Sequence, residues 1–284
     1  MIFAKPDELE YEIILQGGFA NQLFQLAFAL SNHPYGTRGR FIINESHYLN
    51  YFRSPIITKY YHQNIKHIHS TDRSLRILRM QSAINPTIYL LREQDPFRIP
   101  PPQNFSRFAT SIYQIGYFQN YNALITFKKF LFEPFKYMKK LSRMVNINEV
   151  AIHVRRGDYV TNEEAFSYHG VPADQFYIDA YERYKCIFKD AEFTVFSDDI
   201  EYCKELFRDR EIKEYVAPSK INDLHDFVFL SKFRYYIISN SSFSYIAAHL
   251  NIKPELIIAP KNWTRSRQTI TTDLHHDIIE YIDL

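Results

Sequence analysis

Cysteine, glycine and long apolar runs are all scarce in this chain, and each scarcity removes a class of protein. Only 2 cysteines occur among 284 residues. Cys186 and Cys203 lack the paired spacing of a zinc site and the density of a disulfide scaffold, so a reducing compartment is expected. No apolar stretch approaches the ~20 residues of a membrane-crossing helix. The opening Met1-Ile2-Phe3-Ala4-Lys5-Pro6-Asp7-Glu8 has no apolar segment of the signal-peptide kind, so the expectation is a soluble, cytoplasmic chain. Triplets such as Asn240-Ser241-Ser242 then carry no meaning for glycosylation. Neither sign of charge dominates: the formal net charge of +2 leaves no general field for nucleic acid or an anionic bilayer.

Aromatic residues, in contrast, are plentiful, with 22 Tyr and 24 Phe, and the length is enough for two domains with separate cores. Most of these rings belong to cores and Tyr-rich surface. One basic stretch interleaves with them: Lys128-Lys129, Lys136, Lys139-Lys140 and Arg143 alternate with Phe127, Phe130, Phe132, Phe135, Tyr137 and Met138. A solvated helix face over a domain junction is the plain reading, and peripheral contact with anionic lipid is the sharper one. His62, His67 and His69 are close enough for a metal, but core or solvent-facing histidines more often account for such a group. The segment from 41 to 120, with its Ile99-Pro100-Pro101-Pro102 loop, shows no chemistry of its own.

The chemistry concentrates in Val150-Ala151-Ile152-His153-Val154-Arg155-Arg156-Gly157-Asp158-Tyr159. Its β-branched alternation predicts a buried strand that ends at Gly157. Arg155 and Arg156 then fall at the carboxyl end of that strand, where open parallel sheets hold ligands. A guanidinium fork matches phosphate oxygens, so one arginine is suited to a diphosphate while its neighbour faces the other way. The competing structural reading pairs Arg156 with Asp158 and leaves Arg155 to cap a loop. Earlier in the chain, Tyr11 to Leu15 reads as a strand that breaks at Gly17-Gly18 before a helix from about Asn21 to Ser31. That arrangement aims backbone N–H groups at an anion, with Gly18 and Asn21 at the turn. After a boundary near Ser142 to Glu149, strands at Glu192 to Ser197, Tyr235 to Ser239 and Glu255 to Ala259 alternate with helices at Gln175 to Lys189, Ile200 to Arg208 and Leu224 to Lys232. This alternation predicts a parallel sheet of Rossmann type.

Several of these stretches together resemble one family. His153 to Tyr159, HVRRGDY, is similar to the HxRRGDY signature of the α1,2-fucosyltransferases. Gly17-Gly18-Phe19-Ala20-Asn21-Gln22-Leu23-Phe24-Gln25 resembles that family's GGLGNQxFQ, with Phe19 and Ala20 as departures. Gly116-Tyr117-Phe118-Gln119, Phe196-Ser197-Asp198-Asp199, Ser239-Asn240-Ser241-Ser242-Phe243-Ser244 and Ala259-Pro260-Lys261-Asn262-Trp263 follow in the family's order. Tyr245-Ile246 stand where the family has two tryptophans, which is read as repacking.

The resemblance implies an α/β fold of GT-B-like form, with two Rossmann-type domains facing a cleft. Residues 1–145 would be the acceptor side and residues 146–284 the GDP-fucose-binding side. It implies an inverting galactoside α1,2-fucosyltransferase that moves fucose from GDP-β-L-fucose to the 2-hydroxyl of a terminal galactose on a glycan. Another linkage or a peptide acceptor, or a non-catalytic GDP-sugar or glycan-binding protein, are the alternatives. Arg155 would stabilise the leaving diphosphate, and Asp158 or Glu163 would take the acceptor's proton. His153, Asp198, Asp226, Asn240, Ser241, Ser242, Asn21 and Gly18 are the further donor-binding candidates. The chain has no Asp-x-Asp, the usual cation-holding pattern of metal-dependent glycosyltransferases, so no metal or other cofactor is expected. Asp198 is expected to orient the nucleotide or to cap the following helix.

Overall fold

The computed structural model describes residues 9–33, 35–48, 55–61, 65, 68–71, 88–92, 110–136, 143–219, 223–250, 254–265 and 278–282. Residues 1–8, His62, His67, the 99–102 proline run and the 137–142 part of the basic stretch lie outside them. The chain divides into two units, Met1–Pro134 and Phe135–Leu284. The division falls ahead of the 142–149 stretch where the sequence suggests it. Phe135 is fully buried and meets the Phe227 ring edge-on, which ties it to the second unit.

The first unit is a parallel sheet of β1 (Glu10–Ile14), β2 (Arg40–Asn44), β3 (Ile68–Thr71), β4 (Ile88–Arg92) and β5 (Ser111–Ile115), in the order β3-β2-β1-β5-β4. Helix α1 (Phe19–Asn32) follows β1, and α2 (Ile57–Tyr61), α3 (Tyr121–Thr126) and α4 (Lys128–Phe132) complete the described helices. β1 is flanked by β2 and β5, so Tyr11, Ile13 and Ile14 are all buried, as a central parallel strand requires. α1 begins two residues earlier than its apolar stripe suggests. It is buried nearly all round, with Gln22 and Gln25 among its covered residues. Gln25 resolves its polarity on the incoming loop: it accepts the Gln16 N–H at 3.1 Å and donates to the Gln16 carbonyl at 3.0 Å. The Asn120 side chain caps α3 by accepting the Ala123 N–H at 2.7 Å.

The second unit is a six-stranded parallel sheet of β6 (Glu149–Val154), β7 (Glu192–Ser197), β8 (Glu214–Val216), β9 (Tyr235–Ile237), β10 (Leu256–Pro260) and β11 (Ile279–Ile282), in the order β11-β10-β9-β6-β7-β8. Its helices are α5 (Gly157–Thr161), α6 (Glu163–His169), α7 (Asp174–Ile187), α8 (Ile200–Leu206), α9 (Asp223–Leu230) and α10 (Ser242–Leu250). Every residue of β6 is buried, so the run that reads as the strongest strand in the sequence is a central one. Val150, Ile152, Val195, Phe193, Tyr177, Tyr181 and Tyr184 share one core. The buried Tyr184 hydroxyl bonds the Leu256 carbonyl at 2.8 Å and the Tyr236 N–H at 3.1 Å, stitching α7 to β9 and β10. Strand and helix bounds differ from the sequence reading by one or two residues at most ends. The short α5 and α6 are new, because neither is long enough for a periodic stripe. Among the described residues, no helix is long and apolar enough to cross a membrane.

Candidate functional site

β6 delivers Arg155 and Arg156 to the carboxyl edge of the sheet, and the two guanidiniums part at once. Arg155 lies between two carboxylates: Nη2 is 2.5 Å from Asp158 Oδ1, and Nη1 is 2.6 Å from Asp198 Oδ2. Arg156 turns the other way, with Nε donating to Asp199 Oδ2 at 3.1 Å and its guanidinium 3.6 Å over the Tyr202 ring. The suggested Arg156–Asp158 pair is therefore corrected. α5 starts at Gly157 and brings Asp158 round to Arg155, three residues before it.

The helix cap expected of Asp198 falls instead to Asp199. Asp199 is the helix cap, accepting the Tyr202 N–H at 3.2 Å at the start of α8. Asp198 accepts the Arg156 backbone N–H at 2.8 Å as well as facing Arg155. It reaches there because β6 and β7 pair in register, Val154 opposite Ser197. Gly157 is the counterpart of that approach: a Cβ at this position would press into Asp198 Oδ2. The glycine of the RRGDY run is thus needed for the carboxylate beside it rather than for a left-handed turn.

Two cations and three carboxylates meet here, and the nearest histidine adds no charge. His153 is buried, its Nδ1 2.9 Å from Ser239 Oγ and its ring beside Phe243. Burial, reinforced by the Arg155 charge, pushes it down to about 3, so it is neutral near pH 7. Tyr159 stacks on His169 with centroids 4.5 Å apart, and the Arg155 guanidinium lies 5.6 Å from the Tyr159 ring. Burial lowers the His169 pKa while the Asp158 charge opposes this.

The SNSS segment joins the same edge. Asn240 is buried and donates to the carbonyls of His169 at 3.0 Å and Trp263 at 3.2 Å, fastening the end of α6 to the turn after β10. Ser241 occupies the position before α10 and accepts the Tyr245 N–H through its carbonyl at 3.1 Å. Ser242 opens that helix and is partly exposed. Asp226 on α9 accepts the Ser219 N–H at 2.6 Å, holding the loop that precedes the helix. Glu163 is an exposed acid in the first turn of α6, a helix capped by the neighbouring Asn162.

In the first unit the turn after β1 gathers a second group of motif residues. Gly17 has φ +70°, and a Cβ there would crowd Asn21 Nδ2 at 2.8 Å and Tyr117 at 2.9 Å. Gln119 donates to Asn21 Oδ1 at 3.1 Å, so residues almost a hundred positions apart form one patch at the ends of adjacent strands β1 and β5. Phe118, between them in sequence, adopts φ 48° and is held by stacking on Phe28 at 4.2 Å. Gly18 occupies the N-cap of α1, where no side chain caps the helix. Asp158, Asp198, Arg155, His153 and the SNSS residues are thus brought together in the second unit, and Asn21 and Gly18 in the first. Tyr159, His169, Tyr202, Tyr117 and Gln119 are the neighbours that residue-by-residue reading passes over. Only the motif spellings RRGDY and GYFQ hint at three of them.

Comparison with known proteins bears on the family and the fold. Residues 97–278 match the family described as glycosyl transferase family 11. An α-1,2-colitosyltransferase from Escherichia coli is 37% identical over 166 residues, 54% of this chain and 56% of that protein. The O-antigen biosynthesis glycosyltransferase WbnK, also from Escherichia coli, is 31% identical over 120 residues, 42% of this chain and 40% of that protein. The matched region thus spans about half the length of these relatives. The crystal structure of a glycosyl transferase family 9 protein from Veillonella parvula is 10% identical, with a TM-score of 0.53 over 99% of this chain and 89% of that one, which shows the fold alone. The fold class is accordingly the expected α/β one, built from parallel sheets as in GT-B glycosyltransferases. With the arginine-bearing strand, the SNSS edge and the family match covering most of the chain, the protein belongs to glycosyl transferase family 11.

Proposed function

We propose that the chain is an inverting galactoside α1,2-fucosyltransferase, moving fucose from GDP-β-L-fucose to the 2-hydroxyl of a terminal galactose. The observation that carries this reading is Arg155, a partly exposed fork at the carboxyl end of the central strand, with 24% of its side chain accessible. The acceptor oxygen attacks C1 as the bond from C1 to the β-phosphate oxygen breaks. GDP leaves with the electron pair, and the hydroxyl proton passes to a carboxylate, Asp158 or Glu163. The guanidinium counts most as charge develops on the departing phosphate, which raises turnover rather than ground-state binding alone. In an oxocarbenium-like transition state the hydroxyl loses its proton late, so help from the base is modest. His153, Asp198, Asp226, Asn240, Ser241 and Ser242 would shape the donor site. Asn21 and Gly18 are further donor-binding candidates, carried by the first unit, whose variable loops would choose the acceptor glycan. Departure without a metal belongs to this reading, and transfer that survives a chelator is expected.

One observation favours a second donor. Colitose is fucose without one ring hydroxyl, and a colitosyltransferase is among the relatives. A GDP-linked colitose would use the same phosphate grip and differ only where that hydroxyl lies. Offering both donors with N-acetyllactosamine and assigning the product linkage by NMR separates the two. For either donor, Arg155→Ala should lower transfer by about 10²–10³-fold, the usual cost of removing one partner of transition-state charge, with the fold intact by circular dichroism. Near-normal turnover in that variant refutes the assignment.

A further inference from the structure

Arg155 is occupied on both sides before any ligand arrives. The two terminal nitrogens that a phosphate fork would grip each face a carboxylate, Asp158 at 2.5 Å and Asp198 at 2.6 Å. Counting Arg155 and Arg156 against Asp158, Asp198 and Asp199, with His153 neutral, the cluster has a net charge of −1. A nucleotide diphosphate entering that cluster would meet repulsion from its carboxylates. Something must give way for an anion to reach Arg155.

The two carboxylates are not equally free to leave. Asp198 is 16% exposed, holds the Arg156 backbone N–H at 2.8 Å and rests against Gly157. Its position is fixed by the register of β7 on β6. Asp158 is 46% exposed and stands on the five-residue helix α5, reaching Arg155 from one turn away. At that exposure its carboxylate already borders on water, whereas that of Asp198 does so far less.

We propose that Asp158 is a built-in stand-in for phosphate. It neutralises Arg155 while the nucleotide site is empty and yields the guanidinium to the diphosphate on binding. Asp198 stays behind as the fixed partner that keeps the fork oriented. This deepens the reading of the site as one for a nucleoside-diphosphate sugar and rests on it. It makes donor binding an exchange of one anion for another, so Asp158 lowers nucleotide affinity in the resting protein.

The test is calorimetric titration of GDP into the full-length protein and into Asp158→Asn and Asp158→Glu, at fixed salt. Asp158→Asn should bind GDP about three- to tenfold more tightly, because the competing anion is gone. Asp158→Glu, which keeps the charge, should stay within about twofold of the unmodified protein. The gain in Asp158→Asn should shrink as salt rises, since it is a charge effect between partly exposed groups. Equal or weaker GDP binding by a folded Asp158→Asn, beside a wild-type protein that does bind GDP, overturns the exchange. Absence of GDP binding by the wild-type protein overturns the nucleotide-sugar reading beneath it.

Discussion

Glu149→Gln probes the opposite end of the strand that carries Arg155. Its carboxylate is fully buried at the start of β6, where nothing apolar would welcome a charge. Oε1 accepts the Thr194 hydroxyl at 2.6 Å and an Arg143 Nη2 hydrogen. Oε2 accepts Arg143 Nη1 at 3.0 Å, Lys213 Nζ at 3.1 Å and the Asn146 N–H at 3.2 Å. Burial alone would raise its pKa, but the bonds from Arg143, Thr194, Asn146 and Lys213 outweigh burial and hold it at about 2. A glutamine keeps one acceptor oxygen and turns an amide donor toward the other set of donors. Breaking a buried ion pair on one side costs about 3–5 kcal/mol. Arg143 and Lys213 are each 32% exposed and regain water when released, so the expected loss is smaller, about 2–3 kcal/mol. Hydrogen exchange of the β6 amides reads this opening energy within the second unit, without requiring the whole chain to melt in one step.

The same residue sets a pH signature. A carboxylate depressed below its ordinary 4.5 stabilises the fold above that pH and loses its contribution as pH falls from about 4.5 toward 2. The gap between wild type and Glu149→Gln should therefore be full at pH 6 and close on acidification through that window. An unchanged β6 exchange rate at pH 6 would show that the carboxylate is not the anchor it is taken for. A gap that widens on acidification would refute the sign of the argument.

His153 gives the complementary acid response. Since burial and Arg155 hold it at about 3, the folded state resists protonation that the unfolded chain accepts from its ordinary 6.5 downward. Stability of the second unit should fall as pH drops from about 6.5 toward 3, and urea unfolding of His153→Asn should show a shallower decline across that range. Gly157→Ala should fold, since no left-handed backbone is involved, but should displace Asp198 from Arg155. Overpacking of this kind costs about 1–3 kcal/mol, and the thermal midpoint should drop with weakened GDP binding beside it.

Much of the site was readable along the chain. Val150, Ile152 and Val154 are β-branched and apolar, so a strand buried on at least one face, with arginines at its carboxyl end, follows from side-chain chemistry alone. The order of strands and helices after residue 149 follows likewise from period and length. α5, α6 and the first-unit strands after β1 were not readable, because elements of four to seven residues give little periodicity to detect.

The sequence by itself pointed to Arg155 as a candidate anion site at the end of a strand, and the ordered motifs from Gly17 to Trp263 pointed to the family. Only the tertiary structure decided which acid faces which base. Asp198 reaches Arg155 across the register of two parallel strands, Asp158 reaches it through one helical turn, and Asn21 meets Gln119 because β1 and β5 are neighbours. Such pairings depend on how strands separated by a crossover line up. That alignment is set by the packing of whole faces and leaves no mark in the local order of residues.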